Sequence, residues 1–261
     1  MALKIAVCIK VVPNPDQYNL IQLNPETKTL IRTGVDSVIN SADLHAIELA
    51  LQLKATYGGR ITLISMGPNS IEPQLREGLS YGCDEAVLVS DRKFGGADSL
   101  ATSYTLAETV RKLGGFDLIL LGNASEDGAT AHVPSQLGEL LELPHITDVS
   151  AFEVEDETCV RVKKEVGGAI HEYRVSLPAV FGVTKRLNKV RHPSVMGIFG
   201  AKNKPLVTLT AANFDGMDES RLGLTGSPTQ PGEYRNVTHS RTCKELSGVA
   251  ELLKVISMVR R

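Results

Sequence analysis

Four short, almost wholly apolar runs in the first half of the chain limit its fold more than any other feature. Each run is rich in Val, Ile and Leu, as strands buried on both faces are, and together they cover residues 4–12, 60–66, 85–90 and 117–121. Apolar residues recur at helical spacing between the runs, in Ala42–Lys54 and Leu100–Leu113. Strands and helices that alternate in this way predict right-handed crossovers and an open, mostly parallel α/β sheet with flanking helices.

Three segments depart from this alternation. Leu20–Leu23 and Thr29–Arg32 flank a turn-like stretch at residues 24–28, which predicts an inserted β-hairpin. Residues 149–184 alternate apolar and polar side chains, which predicts antiparallel strands that extend an edge of the sheet. Residues 185–224 have little regular periodicity and are predicted to form a long functional loop.

The end of the chain is predicted to be separate from this sheet. Ser247–Val259 has the pattern of an amphipathic helix that could dock on the body or on another protein. We therefore expect an α/β domain over residues 1–224 and a C-terminal arm with its helix over residues 225–261.

Composition and charge exclude several classes of protein. The 261 residues carry a formal net charge of −2, without the basic footprint of a nucleic-acid-binding protein. The four cysteines are scattered and form no Cys-x-x-Cys pair, so we expect reduced thiols and no metal site. No apolar run approaches the roughly 20 residues that cross a bilayer, and the first residues lack the pattern of a signal peptide. We expect a cytoplasmic protein that does not insert into membranes.

The exits of the predicted strands are the places to look for a ligand, because open parallel sheets bind ligands outside the carboxyl ends of their strands. Residues 122–131 follow the fourth apolar run and lead into a helix. Small residues there let backbone amides approach an anion, and the helix N-terminus favours negative charge. The segment fits either a phosphate-binding loop or an ordinary strand-to-helix connection.

Hydrolytic and classical dinucleotide motifs are absent from the sequence. No G-x-G-x-x-G follows the first run, and no G-x-x-x-x-G-K-[ST] is present. The histidines His132, His171 and His192 are far apart and form no nucleophile–base pattern, so we expect no catalytic residue. The residues by themselves thus favour a Rossmann-like, nucleotide-binding α/β protein without its own hydrolytic machinery.

A series of short segments, each weak alone, resembles the β subunit of electron transfer flavoproteins in content, order and spacing. The segments are Cys8–Pro13, Ile39–Asp43, Met66–Pro68, Gly82–Asp84, Leu120–Gly122 and Leu177–Val180, and the match reaches Gly223–Pro228. The resemblance implies a subunit that pairs with an α subunit through its C-terminal arm. It also implies an adenine nucleotide: FAD reduced by NADH in electron-bifurcating members, or AMP as a structural ligand in the others.

Two segments are similar to the bifurcating members, namely Phe94–Ser103 and Asp127–Val133. We therefore expect FAD, NADH as electron donor, and ferredoxin or flavodoxin as low-potential acceptor. The other electron would pass through the α-subunit flavin to a dehydrogenase of the acyl-CoA or hydroxy-acid type. The alternatives are an AMP-binding member of the family and, from another class, a non-redox stress-type protein that binds an adenine nucleotide. Two departures from the family pattern are Asn123–Ala124, where Arg-Gln or Lys-Gln is common, and Val166–Gly168, which replaces acidic residues.

The resemblance carries two sets of site residues onto this chain. The cofactor set is Cys8, Asn40, Ser41, Ala42, Asp43, Met66, Gly67, Gly96, Ala97, Asp98, Ser99, Thr102, Gly122, Asn123, Ala124, Ser125, Asp127, Gly128, Ala129, Thr130, Ala131, His132 and Val133. The partner-docking set is Arg191, Val195, Met196 and Ile198, in a recognition loop at about residues 185–205. Basic residues around that loop would steer an acidic partner.

Overall fold

The computed structural model describes residues 2–23, 30–31, 34–229, 232, 243 and 245–259. The chain divides into two units, one formed by Met1–Gln22 with Arg32–Gly232 and the other by Leu23–Ile31 with Glu233–Arg261. The predicted boundary near residue 224 therefore lies eight residues before the larger unit ends.

The larger unit is built on one sheet, to which nine strands of the described residues contribute. These are β1 (Leu3–Cys8), β6 (Gly59–Met66), β7 (Glu85–Val89), β8 (Leu118–Gly122), β9 (His145–Val154), β10 (Cys159–Val166), β11 (Ala169–Ser176), β12 (Ala179–Val183) and β13 (Leu206–Leu209). Their order is β11-β10-β9-β12-β8-β1-β6-β7-β13. The four predicted apolar runs supply β1, β6, β7 and β8, which are adjacent and parallel. The predicted parallel α/β sheet is confirmed.

Two small sheets accompany the large one. β2 (Val11–Pro13) pairs antiparallel with β5 (Ser37–Ile39), directly after β1. β3 (Gln22–Leu23) and β4 (Leu30–Ile31) pair where the hairpin was predicted. The predicted turn at residues 24–28 lies outside the described residues.

Helices cover both faces of the large sheet. They are α1 (Ser41–Tyr57), α2 (Glu72–Ser80), α3 (Ser99–Leu113), α4 (Val133–Leu141) and α5 (Val195–Ala201), with α6 (Val249–Val259) in the smaller unit. Ile47 of α1 and Leu75 of α2 pack in one apolar core, while Val110 of α3 and Leu137 of α4 pack in the other. Alternate residues of β1 face the two cores, because successive side chains of a strand point to opposite faces.

The ends of α1 and α3 follow from local residue chemistry. Gly58 and Gly114 end these helices at φ 74° and 66°, a conformation that glycine adopts without the cost of a Cβ. Asp98 begins α3 and accepts hydrogen bonds from the backbone N–H groups of Leu100 and Ala101. The N-terminus of α3, which follows the exit of β7, is thus fixed by its capping residue.

Two details predicted for the second half of the chain were wrong. The strands β9, β10 and β11 do form an antiparallel extension, but β12 lies inside the sheet and pairs parallel with both β8 and β9. Its sequence, Ala-Val-Phe-Gly-Val, is apolar throughout and fully buried, which is the signal of an interior strand. Residues 185–224 are not a single loop, since they contain α5 and the edge strand β13, two elements too short to show a clear period.

Candidate functional site

The carboxyl ends of four neighbouring strands border one cavity of about 1180 Å³ in the larger unit. The strands lie in the order β8, β1, β6 and β7. Because neighbouring strands are about 4.8 Å apart, this row of strand ends measures about 14 Å. The cavity therefore has the length of an extended ligand, and it occupies the edge where open α/β sheets bind ligands.

Most residues of the predicted cofactor set line this cavity. They are Cys8, Asn40, Asp43, Met66, Gly67, Gly96, Ala97, Asp98, Ser99, Thr102, Gly122, Asn123, Ala124, Ser125, Gly128, Thr130, Ala131, His132 and Val133. Those outside the lining are Ser41, Ala42, Asp127 and Ala129. The fold thus brings together segments that lie as far apart in the sequence as Cys8 and Val133.

Several lining residues were not predicted, among them Lys10, Asn69, Arg92 and Thr229. Lys10 and Arg92 add positive charge to a cavity that the sequence suggested would hold phosphate. Their positions were the signal in the sequence: Arg92 closely follows the third apolar run, and Lys10 lies near the end of the first, just after β1. Thr229 reaches the site by a different route, with its backbone N–H and its hydroxyl both donating to Asp98.

Asp43, in the first turn of α1, joins the ends of two strands. Its Oδ2 atom accepts the backbone N–H of Lys10 at 2.7 Å, and its Oδ1 atom accepts the backbone N–H of Gly122 at 2.8 Å. Burial raises the pKa of this carboxyl group to about 6, although the hydrogen bonds oppose the shift. Both oxygens of the Asp43 carboxylate therefore bind N–H groups of the protein's own backbone.

Asn40, the residue before α1, joins the same helix to the loop after β8. Its Nδ2 atom donates to the carbonyl of Ala124 at 3.0 Å, and its Oδ1 atom accepts the N–H of Glu126 at 3.1 Å. Ser41 donates to the Glu126 carboxylate, which also binds Lys185 at 2.6 Å. The start of α1 thus fixes the loop that borders the cavity.

The loop between β8 and α4 holds two non-glycine residues in the left-handed region, Ala129 at φ 50° and Ala131 at φ 55°. Such conformations cost on the order of 1–3 kcal/mol each and occur where a particular backbone direction is required. Asp127 helps to fix the loop, since it accepts both the Lys10 ammonium and the Gly128 N–H at 2.7 Å. Alternating backbone conformations of this kind turn successive N–H groups towards one anion.

Asn123 accounts for one departure from the family pattern. Its Nδ2 atom donates to the Asp148 carboxylate at 2.7 Å, and its Oδ1 atom accepts the Asp148 backbone N–H at 3.2 Å. Asp148 belongs to β9 and has φ 59°. A long basic side chain at position 123 would lose this paired contact, so Asn123 fixes the loop to the sheet.

The N-termini of α3 and α4 lie side by side at the cavity. Ser99 Oγ lies 3.5 Å from His132 Nδ1, and Ser103 Oγ donates to Gln136 Oε1 at 3.1 Å. Both helices direct the positive ends of their dipoles to the same region, which favours a bound anion. Asp98 is the capping residue of α3, and its side chain accepts the N–H groups of Leu100 and Ala101.

The thiol of Cys8, which lines the cavity, is unreactive. Burial, and next the charge of Asp43, raises the pKa of its thiol to about 12, so the thiol stays protonated at neutral pH. Within the described residues, no cluster of His, Cys, Asp and Glu is arranged to hold a metal ion. The cavity thus offers binding groups but no activated thiol.

Val195, Met196 and Ile198 of the partner-docking set lie on α5, Arg191 lies shortly before it, and none of the four lines the cavity. Val195, Met196, Ile198 and Phe199 are all more than half exposed. Arg191 is engaged within the chain, because its Nε and Nη2 atoms donate to the buried Glu48 carboxylate at 2.7 and 2.9 Å. α5 is therefore an apolar helix presented on a fixed support rather than a loop of mobile residues.

Comparison with known proteins places this geometry in a family. The model of the electron transfer flavoprotein domain matches residues 27–213. The electron transfer flavoprotein subunit beta of Clostridium acetobutylicum is 41% identical over 96% of this chain and 92% of its own. The caffeyl-CoA reductase-Etf complex subunit CarD of Acetobacterium woodii is 38% identical over 87% of this chain and 86% of its own. Protein FixA of Bradyrhizobium diazoefficiens is 37% identical over 85% of this chain and 78% of its own.

No helix among the described residues is long and apolar enough to span a membrane. The chain belongs to the electron transfer flavoprotein family, and it matches the β subunits of that family over most of its length.

Proposed function

We propose that the chain binds FAD in the cavity at the strand ends and works with an α subunit as an electron carrier in the cytoplasm. NADH is the electron donor, and the electrons are divided between a low-potential acceptor and a dehydrogenase. The observation that carries the proposal is the cavity itself, which runs across four strand ends and is bordered by the N-termini of three helices. FAD supplies the redox chemistry when bound, while the chain supplies binding, orientation and electrostatics.

The size of the cavity supports a dinucleotide over a mononucleotide. Small-molecule sites commonly measure about 300–1,000 Å³, and this one is about 1180 Å³. AMP would occupy the phosphate-binding side near β8 and leave the side near β7 without a ligand. FAD would fill both, which is why FAD is the first proposal and AMP the second.

The groups around the cavity fit the parts of FAD. The paired N-termini of α3 and α4 and the backbone N–H groups after Gly128 would hold the diphosphate, with Lys10 near them. Gly128 leaves room for a ligand, because a Cβ there would approach Ser125 Oγ only to 3.6 Å. The hydroxyls of Ser99 and Thr102 would bond the ribityl chain or the diphosphate.

Electron bifurcation is supported by sequence and by relatives. Phe94–Ser103 and Asp127–Val133 are similar to the segments of bifurcating members, and both border the cavity. CarD is by its name a subunit of a complex with caffeyl-CoA reductase. We extend this to a dehydrogenase of the acyl-CoA or hydroxy-acid type as partner here, with ferredoxin or flavodoxin as the other acceptor. A non-redox stress-type protein is disfavoured by the family match over most of the chain.

Two surfaces would bind the protein partners. Val195, Met196, Ile198 and Phe199 of α5 are exposed and would enter an apolar pocket of the dehydrogenase, since hot spots of interfaces lie in well-packed pockets from which water is excluded. Residues 225–261 would dock on the α subunit, where α6 offers exposed Val249 and Leu253. Steering by charge is weaker than the sequence suggested, because Lys185 and Arg191 bind Glu126 and Glu48.

The test is the flavin content of the complex purified with its α subunit. The proposal expects two FAD per heterodimer by absorbance after denaturation, and flavin reduction by NADH without oxygen. One FAD with one AMP, and no reduction by NADH, would support the AMP-binding alternative instead. Neither nucleotide in the β subunit would refute both.

A further inference from the structure

Each oxygen of the Asp43 carboxylate accepts one backbone N–H group, and the two N–H groups belong to different strand ends. The side chain is 4% exposed, and its two oxygens accept the N–H of Lys10, just after β1, and the N–H of Gly122, at the end of β8. A second link runs parallel to it, because Asn40 donates its own N–H to the Lys10 carbonyl at 2.8 Å. The first turn of α1 therefore fixes the distance between two adjacent strand exits.

The fit at this point leaves no spare volume. A Cβ at residue 122 would lie 2.3 Å from Asp43 Oδ1 and 2.7 Å from the Ala42 Cβ. Both strand exits lead to groups that face the cavity, namely the Lys10 side chain and the loop from Asn123. A change at Asp43 is thus transmitted to the two segments that would hold the phosphates of a nucleotide.

We propose that Asp43 is a positioning residue whose ionised carboxylate holds the strand ends of β1 and β8 in the geometry that binds the nucleotide, so that affinity falls when this group takes up a proton. The inference rests on the proposed function, in that it assumes a nucleotide in this cavity. It differs from the family-based expectation, in which Asp43 contacts the ligand directly.

The chemistry of the carboxyl group explains why the ionised form is required. A carboxylate accepts hydrogen bonds at both oxygens, whereas the protonated acid carries an O–H that must itself donate. With an N–H group facing each oxygen, protonation leaves one of the two donors without a good acceptor. A buried donor without an acceptor is costly, so the strand ends would move to avoid it.

The neighbouring groups keep their charges over the same pH range. The Cys8 thiol on β1 has its pKa raised to about 12, chiefly by burial, and stays neutral. In the loop after β8, burial raises the pKa of the Glu126 and Asp127 carboxyl groups, but their hydrogen bonds lower it by more. The pKa of each group therefore lies below its usual value. Lys10 is paired with Asp127 at 2.7 Å. Burial raises the pKa of Asp43 itself to about 6, within reach of a titration.

The experiment measures the affinity of the full chain for FAD by flavin fluorescence and for AMP by calorimetry, from about pH 8 to about pH 5. The wild-type chain should lose about tenfold in affinity as the pH falls through the pKa of Asp43, the effect of one lost hydrogen-bond acceptor. Asp43→Asn should bind about tenfold more weakly at the upper pH and show no such dependence. Because imidazoles also change charge in this range, the series is repeated in a His132→Gln background.

The opposite slope would overturn the inference. If affinity rises on acidification in the wild type and not in Asp43→Asn, Asp43 acts by repelling the phosphates and not by positioning the strand ends. A pH-independent affinity in both proteins would overturn it as well. Should Asp43→Asn fail to fold, the FAD titrations of the wild type and of His132→Gln decide, because the phosphate of AMP itself titrates at about pH 6. A wild-type chain that binds neither FAD nor AMP at the upper pH would refute the proposed function and this inference with it, whereas a pH-independent affinity refutes the inference alone.

Discussion

Asp43 Oδ1 accepts the backbone N–H of Gly122 at 2.8 Å, and a Cβ at residue 122 would lie 2.3 Å from that same oxygen. The hydrogen bond therefore requires glycine at position 122, because a side chain there would collide with the accepting oxygen. Gly128, six residues later in the same loop, has no such neighbour, since a Cβ there would approach Ser125 Oγ only to 3.6 Å. The two glycines therefore have different roles, one in the fold and the other at the surface of the cavity.

Substitution of these two glycines should separate folding from binding. Gly122→Ala should lower both the melting temperature and nucleotide affinity, because overpacking a fixed contact typically costs about 1–3 kcal/mol. Gly128→Val should leave the melting temperature nearly unchanged and weaken FAD or AMP binding, because its side chain projects where a ligand would approach. Thermal unfolding and nucleotide titration on both variants measure this. Full affinity in Gly128→Val would remove this part of the loop from the site.

Thr102 offers a test of the α3 side of the cavity, with Thr105 as a matched control. Thr102 lines the cavity, whereas the buried Thr105 hydroxyl donates to the Ala101 carbonyl at 3.0 Å within the helix. Thr102→Val should therefore weaken FAD binding by about 1.5–3 kcal/mol, the value of a bond to a charged group. Thr105→Val should change stability and leave the FAD dissociation constant alone. Equal dissociation constants for Thr102→Val and the wild type would show that this hydroxyl does not contact the ligand.

The raised pKa of Asp43 predicts a pH effect on stability that runs opposite to the effect on binding. The folded value of about 6 lies above the ordinary value of 3.8, so the native chain keeps a proton that the unfolded chain has lost. The resulting stabilisation is complete below about pH 3.8 and is lost as the pH rises through about 6. At about 1.4 kcal/mol per pKa unit it amounts to about 3 kcal/mol.

The measurement for Asp43 is the difference in unfolding free energy between the wild type and Asp43→Asn, from urea denaturation at several pH values. The difference should favour the wild type increasingly as the pH falls from about 7 to about 4.5. Comparison with the variant removes the contribution of other carboxyl groups, such as Asp127, whose lowered pKa gives the opposite trend. A difference that is the same at every pH would mean that Asp43 titrates alike in the folded and unfolded chains.

The parts of the fold that the sequence predicted are those with a strong local period. β1, β6, β7 and β8 are continuous apolar runs, and the helical patterns between them implied parallel strands, although not their order in the sheet. The place of β12 could not be inferred from alternation in its neighbours, because it depends on which strand it pairs with. β13 has only four residues, too few for a period to be visible. Its pairing with β7 depends on tertiary packing and not on its own sequence pattern.

The sequence likewise predicted some features of the candidate site and not others. Segments at strand exits were found because topology brings all strand exits to one edge, and the resemblance to the family added Ser99 and Thr102. The roles of Asn40, Asp43 and Asn123 as links within the protein were not predictable, because a polar residue near a site looks alike whether it faces a ligand or a backbone N–H group. Only the pairing of these side chains with Glu126, Gly122 and Asp148 distinguishes the two.

The exposed apolar surface of α5 leads to the last prediction. Val195 is 68% exposed, and the helix is held from both ends: Ser194 accepts the Gly197 N–H at 3.0 Å, and Lys204 donates to the carbonyls of Leu79 and Cys83. Val195→Asp should therefore weaken binding of the partner dehydrogenase by about 2 kcal/mol or more, as loss of a hot spot does. Because the side chain is already in water, the melting temperature and the reduction of the flavin by NADH should change little.

An equally exposed residue elsewhere serves as the control for α5. Ile170 on the edge strand β11 is 74% exposed, and Ile170→Asp adds the same charge far along the sheet from β7 and β13. Calorimetry with the dehydrogenase that the complex reduces should show a loss for Val195→Asp and none for Ile170→Asp. Glu48→Gln should give an intermediate loss, because it weakens the support that Arg191 receives ahead of α5. If Val195→Asp lowers the melting temperature while the affinity for the dehydrogenase stays intact, α5 packs within the assembly and is not the docking surface.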